Sequence, residues 1–252
     1  MDLEAEKVFL HGVPDTPEMW RPLLDALSLE LSPLLAPALP GFVEPRPAGF
    51  KPTKESYVDW FIEHLERQVD QNGPVDLVAH DWGAMIALRT VSIRPDLVRT
   101  WTAINAAPHE QDLWHGTAKI WQTPIIGELS MLATRKAKLA TGLQRLGMPN
   151  GIAQHEAQAF NWHMRSSILA LYRSAMKIGT EWYPDFQNFP PNGLIIWGES
   201  DPYGPIEHGE GFANRFDLSF IRVRDAGHWP FLEHTDQVAG ALEHHWALPA
   251  SE

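Results

Sequence analysis

Cysteine is absent from the 252 residues of this chain, which excludes disulfides, cysteine nucleophiles and thiolate-bound metal sites together. No stretch approaches the roughly 18 apolar residues that cross a bilayer as a helix. The N-terminus, MDLEAEKVFL, has neither a basic start nor a long apolar run, so no signal peptide is expected. Positive charge is scarce: 20 Lys and Arg stand against 32 Asp and Glu, a formal net charge of −12. Binding to a phosphate backbone rests on clustered Lys and Arg, so nucleic acid is not expected as a partner, and an anionic small substrate is disfavoured. Repeats, linkers and low-complexity tails are missing as well. These absences predict a cytoplasmic globular protein with no nucleic-acid or membrane partner, and they leave the oligomeric state open.

What is present is ordinary in bulk, with 44% hydrophobic and 21% charged residues. The length suits one large domain, or one domain with a sizeable insertion. Eleven tryptophans is a high count, and several of them fall in one mid-chain region.

Along the chain, short apolar runs alternate with helical periodicity. Residues 8–10 (VFL) predict a strand that breaks at His11-Gly12-Val13-Pro14. Helical spacing follows through Trp20, Leu23, Leu24 and Leu27, and residues 34–39 before Pro40-Gly41-Phe42 predict a second strand. A Pro- and Gly-rich surface loop spans 43–53. Tyr57, Trp60, Phe61, His64 and Leu65 then mark an amphipathic helix over 54–71, with His64 packed on its apolar face.

Residues 75–89, VDLVAHDWGAMIALR, read as a buried strand, a tight turn and an apolar helix. Arg94-Pro95 ends that helix, and 98–105 is the fourth predicted strand, followed by Ala106-Ala107-Pro108. From about 109 to about 190 the periodicity is helical and no strand is legible. Trp114, Trp121, Trp162 and Trp182 fall here, with Phe160, Met131, Met164 and Met176. Most of these are expected to form a small helical core placed over the sheet, and a few to face the space between. Strand patterns resume at 193–197 and 219–223, separated by a helix at 206–216, and a helix over 235–246 closes the chain. Alternation of this kind implies a parallel sheet with right-handed crossovers.

Open sheets of this type place ligands at the C-terminal ends of their strands. Asp81, Asp201 and His228 each stand just beyond such an end. Taken singly, Asp81 could be a helix cap, Asp201-Pro202 a turn and His228 a packed loop residue. Taken together, in the order nucleophile, acid, histidine, they form the triad order of a strand-turn-helix nucleophile elbow. At the elbow an ionised side chain is pushed above the sheet edge, near the positive end of the following helix.

On these residues the chain resembles the α/β-hydrolase superfamily over nearly its whole length. It looks like the branch with an aspartate nucleophile, the epoxide hydrolases and haloalkane dehalogenases. The match is carried by His11-Gly12-Val13-Pro14, His80-Asp81-Trp82-Gly83, Trp197-Gly198 with Asp201, and Gly227-His228-Trp229. His-Asp-Trp-Gly is specific for that branch, while the His-Gly and Gly-His elements are shared across the superfamily. Two departures stand out. Ala79 replaces the glycine usual two residues before the nucleophile, and the first hairpin of the full fold has no counterpart. The resemblance therefore implies an α/β-hydrolase fold with a mostly parallel sheet of about six strands. It divides the chain into a core of 1–108 and 191–252 and a helical cap of 109–190.

The resemblance implies further that Asp81 attacks carbon to give an alkyl ester. The backbone N–H groups of Val13 and Trp82 would form the oxyanion hole, and His228, oriented by Asp201, would activate the hydrolytic water. Metal and cofactor are not expected, and the substrate is expected to be neutral. The leaving group would be read by residues around the cavity, with His11, Tyr172, His115, Trp114 and Trp121 as candidates. Tyr172-Arg173 looks like the family's second cap tyrosine with its arginine, and His115 stands nearest to the missing first one. Indole donors at Trp82 with Trp114 or Trp121 would instead suit a halide. Arginines that hold a haloacid carboxylate in the haloacetate dehalogenases are replaced by Trp82 and Met85. The balance tips towards an epoxide hydrolase, with a haloalkane dehalogenase as the alternative and a non-catalytic binding protein on the same fold as a third reading.

Overall fold

The computed structural model describes residues 5–32, 34–190 and 192–247. The signal-peptide expectation falls partly on residues 1–4, outside the described residues. Five strands, β1 (Lys7–Leu10), β2 (Val75–His80), β3 (Val98–Ile104), β4 (Gly193–Gly198) and β5 (Ser219–Val223), form one sheet in the order of the sequence. Every neighbouring pair is parallel.

Such a sheet must be covered on both faces, which explains why β2 and β4 are buried at every position. Side chains alternate between two cores, as the strand period of two requires. Val8, Leu10, Leu77, Ala79, Trp101 and Ile195 face one core, and Phe9, Val78, Ile104, Leu194 and Ile196 face the other. Helices α2 (Lys54–Asn72) and α3 (Trp82–Ile93) cover the first face through Phe61, Leu65, Ile86 and Val91. The short α1 (Arg21–Ala26) covers the second with Leu23 and Leu24. His64 is packed as expected: it is buried against Phe61, its Nε2 lies 3.2 Å from the Leu34 carbonyl, and burial lowers its pKa.

The predicted strand at 34–39 does not form, so among the described residues the sheet has five strands rather than about six. The segment still runs beside β1, accepting one hydrogen bond at the Leu35 carbonyl from the Phe9 N–H at 2.7 Å. Pro37 and Pro40 supply no N–H, and a ladder cannot be continued through residues that cannot donate.

Between β3 and β4 the chain forms helices only, among the described residues. They are α4 (Gly116–Gln122), α5 (Ile126–Ala133), α6 (Lys136–Arg145), α7 (Asn150–Ala159), α8 (Trp162–Ser174) and α9 (Ile178–Trp182). Their aromatics divide: Phe160 and Trp182 are buried, whereas Trp162 is 60% exposed and packs into no core. Then α10 (Ile206–Arg215) connects β4 to β5, and α11 (Pro230–Glu233) and α12 (Thr235–Trp246) complete the second face through Phe231, Val238 and Leu242. None of the helices among the described residues is long and apolar enough to cross a membrane.

One buried contact ties this insertion to the core. Glu156 on α7 is fully buried, and its Oε1 accepts a hydrogen bond from the Thr16 hydroxyl at 3.0 Å. Burial, and then the neighbouring Asp15 carboxylate, raise its pKa well above the usual carboxylate range. The folded protein thus holds a proton at Glu156 that the unfolded chain releases once pH exceeds the ordinary carboxylate pKa. Stability from this group is complete below that point and is lost as pH rises. Glu156→Gln should flatten the decline of Tm between pH 5 and pH 8, and thermal unfolding at the two pH values reads this directly.

Candidate active site

The site is assembled where β1 to β5 end. At the end of β2 the chain turns into α3 through Asp81, at φ 51° and ψ −123°, a backbone that L residues rarely adopt. Close approach explains the glycines on either side of the turn. A Cβ on Gly83 would lie 2.2 Å from the Leu10 carbonyl oxygen, and one on Gly12 would lie 2.4 Å from Cβ of Asp81. Asp81 makes no side-chain capping bond to α3. Its Oδ1 instead accepts the Val13 N–H at 2.7 Å, and the neighbouring Trp82 backbone N–H helps to lower the pKa of the carboxyl. The second oxygen, Oδ2, lies 3.6 Å from His228 Nε2, and 17% of the Asp81 side chain stays open to the cavity.

His228 and Asp201 come from the loops after β5 and β4. His228 Nδ1 lies 3.0 Å from Asp201 Oδ2. Asp201 is fixed on both oxygens: Oδ2 also accepts the Asn105 side-chain N–H at 2.6 Å, and Oδ1 accepts the Tyr203 backbone N–H at 2.9 Å. Burial opposes every charge here, and the neighbours overcome it. His228 loses basicity to burial, but the Asp201 and Asp81 carboxylates push it up to about 10. Burial would raise Asp81 and Asp201, yet His228 holds both carboxylates below their usual range. At neutral pH the resting site is therefore carboxylate, imidazolium, carboxylate.

Above Asp81 lies a cavity of about 90 Å³, room for roughly half a dozen water-sized groups. Trp82, Trp114, His115 and Tyr172 line it with Asp81 and His228. Tyr172, on α8, is packed edge-on against Trp82, with ring centroids 5.2 Å apart. The Tyr172 hydroxyl carries a proton that it can donate into the cavity it lines. Burial and the Asp81 charge raise its pKa well above that of free tyrosine. The Trp114 ring stacks on Trp82 at 5.9 Å, and its buried indole nitrogen has no partner. His115 accepts the Ala118 N–H on Nδ1 as the cap of α4.

Two of the expected cavity residues lie elsewhere. Trp121 packs behind Tyr172 at 5.0 Å and is not part of the lining. His11 is fully buried beneath the site, and its pKa is lowered by burial to about 4. Its Nε2 accepts the Leu39 N–H, and Nδ1 therefore donates to the Gly12 carbonyl at 2.9 Å. The ring shapes the loop that carries Val13. Arg173 turns away from the cavity to pair with Glu128 on α5.

Asn105 and Tyr203 escaped the sequence reading. Asn105 follows β3 in a positive-φ conformation, the same kind of strand-end position as Asp81, Asp201 and His228, and that position was legible in the sequence. Tyr203 lines the cavity with its ring 4.8 Å from that of His228. Only its closeness to Asp201 hinted at a role. No cluster of potential metal ligands occurs among the described residues.

Three relatives frame these observations. A haloalkane dehalogenase of Bradyrhizobium diazoefficiens is 32% identical over 43% of this chain and 35% of its own length. A pimeloyl acyl-carrier-protein methyl ester esterase of Aromatoleum aromaticum is 25% identical over 94% of this chain and 96% of its own. Among solved structures, an epoxide hydrolase of Bacillus megaterium superposes with a TM-score of 0.71 at 25% identity, covering 96% of this chain and 93% of that one. The match to the haloalkane dehalogenases thus spans little more than a third of their length, 35% and 38% for two of them. The alpha/beta hydrolase family matches residues 8–241, nearly the whole described chain, and this protein belongs to it.

Proposed function

We propose that this hydrolase opens epoxides to diols through an alkyl ester on Asp81. The observation that carries the reading is the carboxylate at the elbow. One of its oxygens is bound by the Val13 N–H at 2.7 Å, and the other is left beside His228 at 3.6 Å. Oδ2 is then the attacking oxygen, and the Val13 and Trp82 N–H groups would serve the oxyanion of ester hydrolysis. In this reading residues 109–190 serve as a cap on a core of 1–108 and 191–252, and the cysteine-free composition fits the cytoplasm.

The proton balance favours an epoxide. Attack by Oδ2 breaks the ring C–O bond, and the oxygen takes a proton from Tyr172, which the imidazolium of His228 restores. Esterified Asp81 no longer carries charge, so His228 loses one of the two carboxylates that raised its pKa and becomes a base. Water then cleaves the ester, and its proton returns the ring to imidazolium as Asp81 becomes a carboxylate again. The site ends as it began, with no proton gained from or lost to solvent. Halide displacement would consume no proton in its first step and would leave His228 charged, unable to act as base until it released one.

A dehalogenase remains the second reading because of one observation, the unpartnered buried indole of Trp114 stacked on Trp82. The two are separated by product. Styrene oxide should yield its diol without halide, and 1-bromobutane should release no bromide above the background of Asp81→Asn protein. Bromide release without diol reverses the assignment. Ligand-induced stabilisation with turnover of neither compound would favour a binding protein.

A further inference from the structure

His80 stands next to Asp81 but does not line the cavity. It is fully buried, and its Nε2 lies 2.7 Å from the backbone carbonyl oxygen of His228. A carbonyl only accepts, so Nε2 carries a proton and donates it. The two imidazoles lie 4.7 Å apart. On the far side of His80, Nδ1 is 3.7 Å from Asp15 Oδ2 and has no hydrogen-bond partner. That same Asp15 oxygen accepts the indole N–H of Trp229 at 3.2 Å. His80 and Asp15 therefore hold two consecutive residues of the loop between β5 and α11, one by its backbone and one by its side chain. The loop itself has no strand or helix structure at His228.

We propose that His80, backed by Asp15, is a positioning residue for the second half of the reaction. It fixes the backbone of His228 so that Nε2 reaches the water that attacks the Asp81 ester. This rests on the ester reading above. In that step the water oxygen bonds to Cγ of Asp81 as its proton passes to His228 Nε2, and the Val13 and Trp82 N–H groups hold the oxyanion. Collapse breaks the bond from Cγ to the alkyl oxygen, which leaves as alcohol with the proton from His228. The new carboxylic acid then gives its proton to the ring. The first half places lighter demands on His228, since the attacking carboxylate is held by the Val13 N–H instead.

Full-length protein mixed rapidly with styrene oxide, quenched and weighed by mass spectrometry separates the halves. His80→Phe keeps an aromatic ring and removes the donor. It should form the ester at the wild-type rate and hydrolyse it on the order of 100-fold more slowly, as for other small displacements of a catalytic group. His80→Gln keeps an N–H at that reach and should restore hydrolysis. Trp229→Phe, which keeps an aromatic ring but loses the bond to Asp15 and part of the buried indole, should show the same selective slowing and carries the test if His80→Phe does not fold. Wild-type ester decay in the Phe variants overturns the proposal, as does equal slowing of both halves or failure of His80→Gln to rescue. His228→Gln is the control: absence of ester there overturns the aspartyl-ester chemistry itself, whereas ester there with normal decay in His80→Phe overturns the role of His80 alone.

Discussion

His228→Gln protein should attack its substrate once and then stop, with the ester retained on Asp81. Glutamine keeps the approximate bulk of the imidazole and cannot take a proton from water. Nucleophilic attack needs no base and the Val13 N–H still holds the Asp81 carboxylate, but without His228 burial raises its pKa, so the attack is best followed above neutral pH. The oxygen released from the epoxide still takes its proton from Tyr172, which solvent rather than His228 then replenishes. Loss of a general base costs about 10² to 10⁴ in rate, enough for the intermediate to become the main species within the first turnover. Intact mass after mixing with styrene oxide should rise by one substrate, and peptide mapping should place the addition on the peptide that contains Asp81. An unmodified protein that still turns over, or an adduct on any other residue, refutes the two-step scheme.

What made this site legible in the sequence was its position at strand ends. Asp81, Asp201 and His228 follow strands whose apolar runs are plain, and short connections leave little freedom in where those residues fall. The strands themselves were readable because β4 is apolar on both faces and β2 carries Leu77, Val78 and Ala79 in one run after Val75. Residues 34–39 show the limit of that signal. Leu34, Leu35 and Leu39 supply a strand's apolarity, while the prolines remove the donors that a strand needs, and composition alone does not weigh one against the other. Side chains that act through a tertiary contact were harder still. His80 looked like half of a motif, and nothing in its neighbourhood along the chain says that it holds the carbonyl of a residue 148 positions away. Trp121 and His11 show the opposite limit: one was a candidate for its indole and the other for its place in the His-Gly motif, yet one packs behind Tyr172 and the other beneath Gly12.

Asp81→Asn tests the nucleophile and the electrostatics in one variant. An amide cannot displace carbon–oxygen bonds as a carboxylate does, so turnover should fall by at least about 10⁴-fold, the scale seen when a triad member is removed. Deamidation back to aspartate has to be excluded by mass, since it would regenerate the active chain. The same change removes one of the two negative charges beside His228. In the intact protein those charges hold the ring protonated up to about pH 10, against an ordinary value of 6.5. A histidine whose pKa is raised on folding adds stability that is complete below pH 6.5 and is lost as pH rises through its folded value. Asp81→Asn should therefore lower the pH at which the His228 ring titrates, followed by imidazole NMR, and make the stability lost above pH 6.5 smaller and complete at a lower pH. Asp201 remains 3.0 Å from Nδ1, so the titration should stay above 6.5. An unchanged His228 titration would mean that Asp81 and His228 do not share charge in the resting site, and the coupling between esterification and the emergence of the base would fail with it.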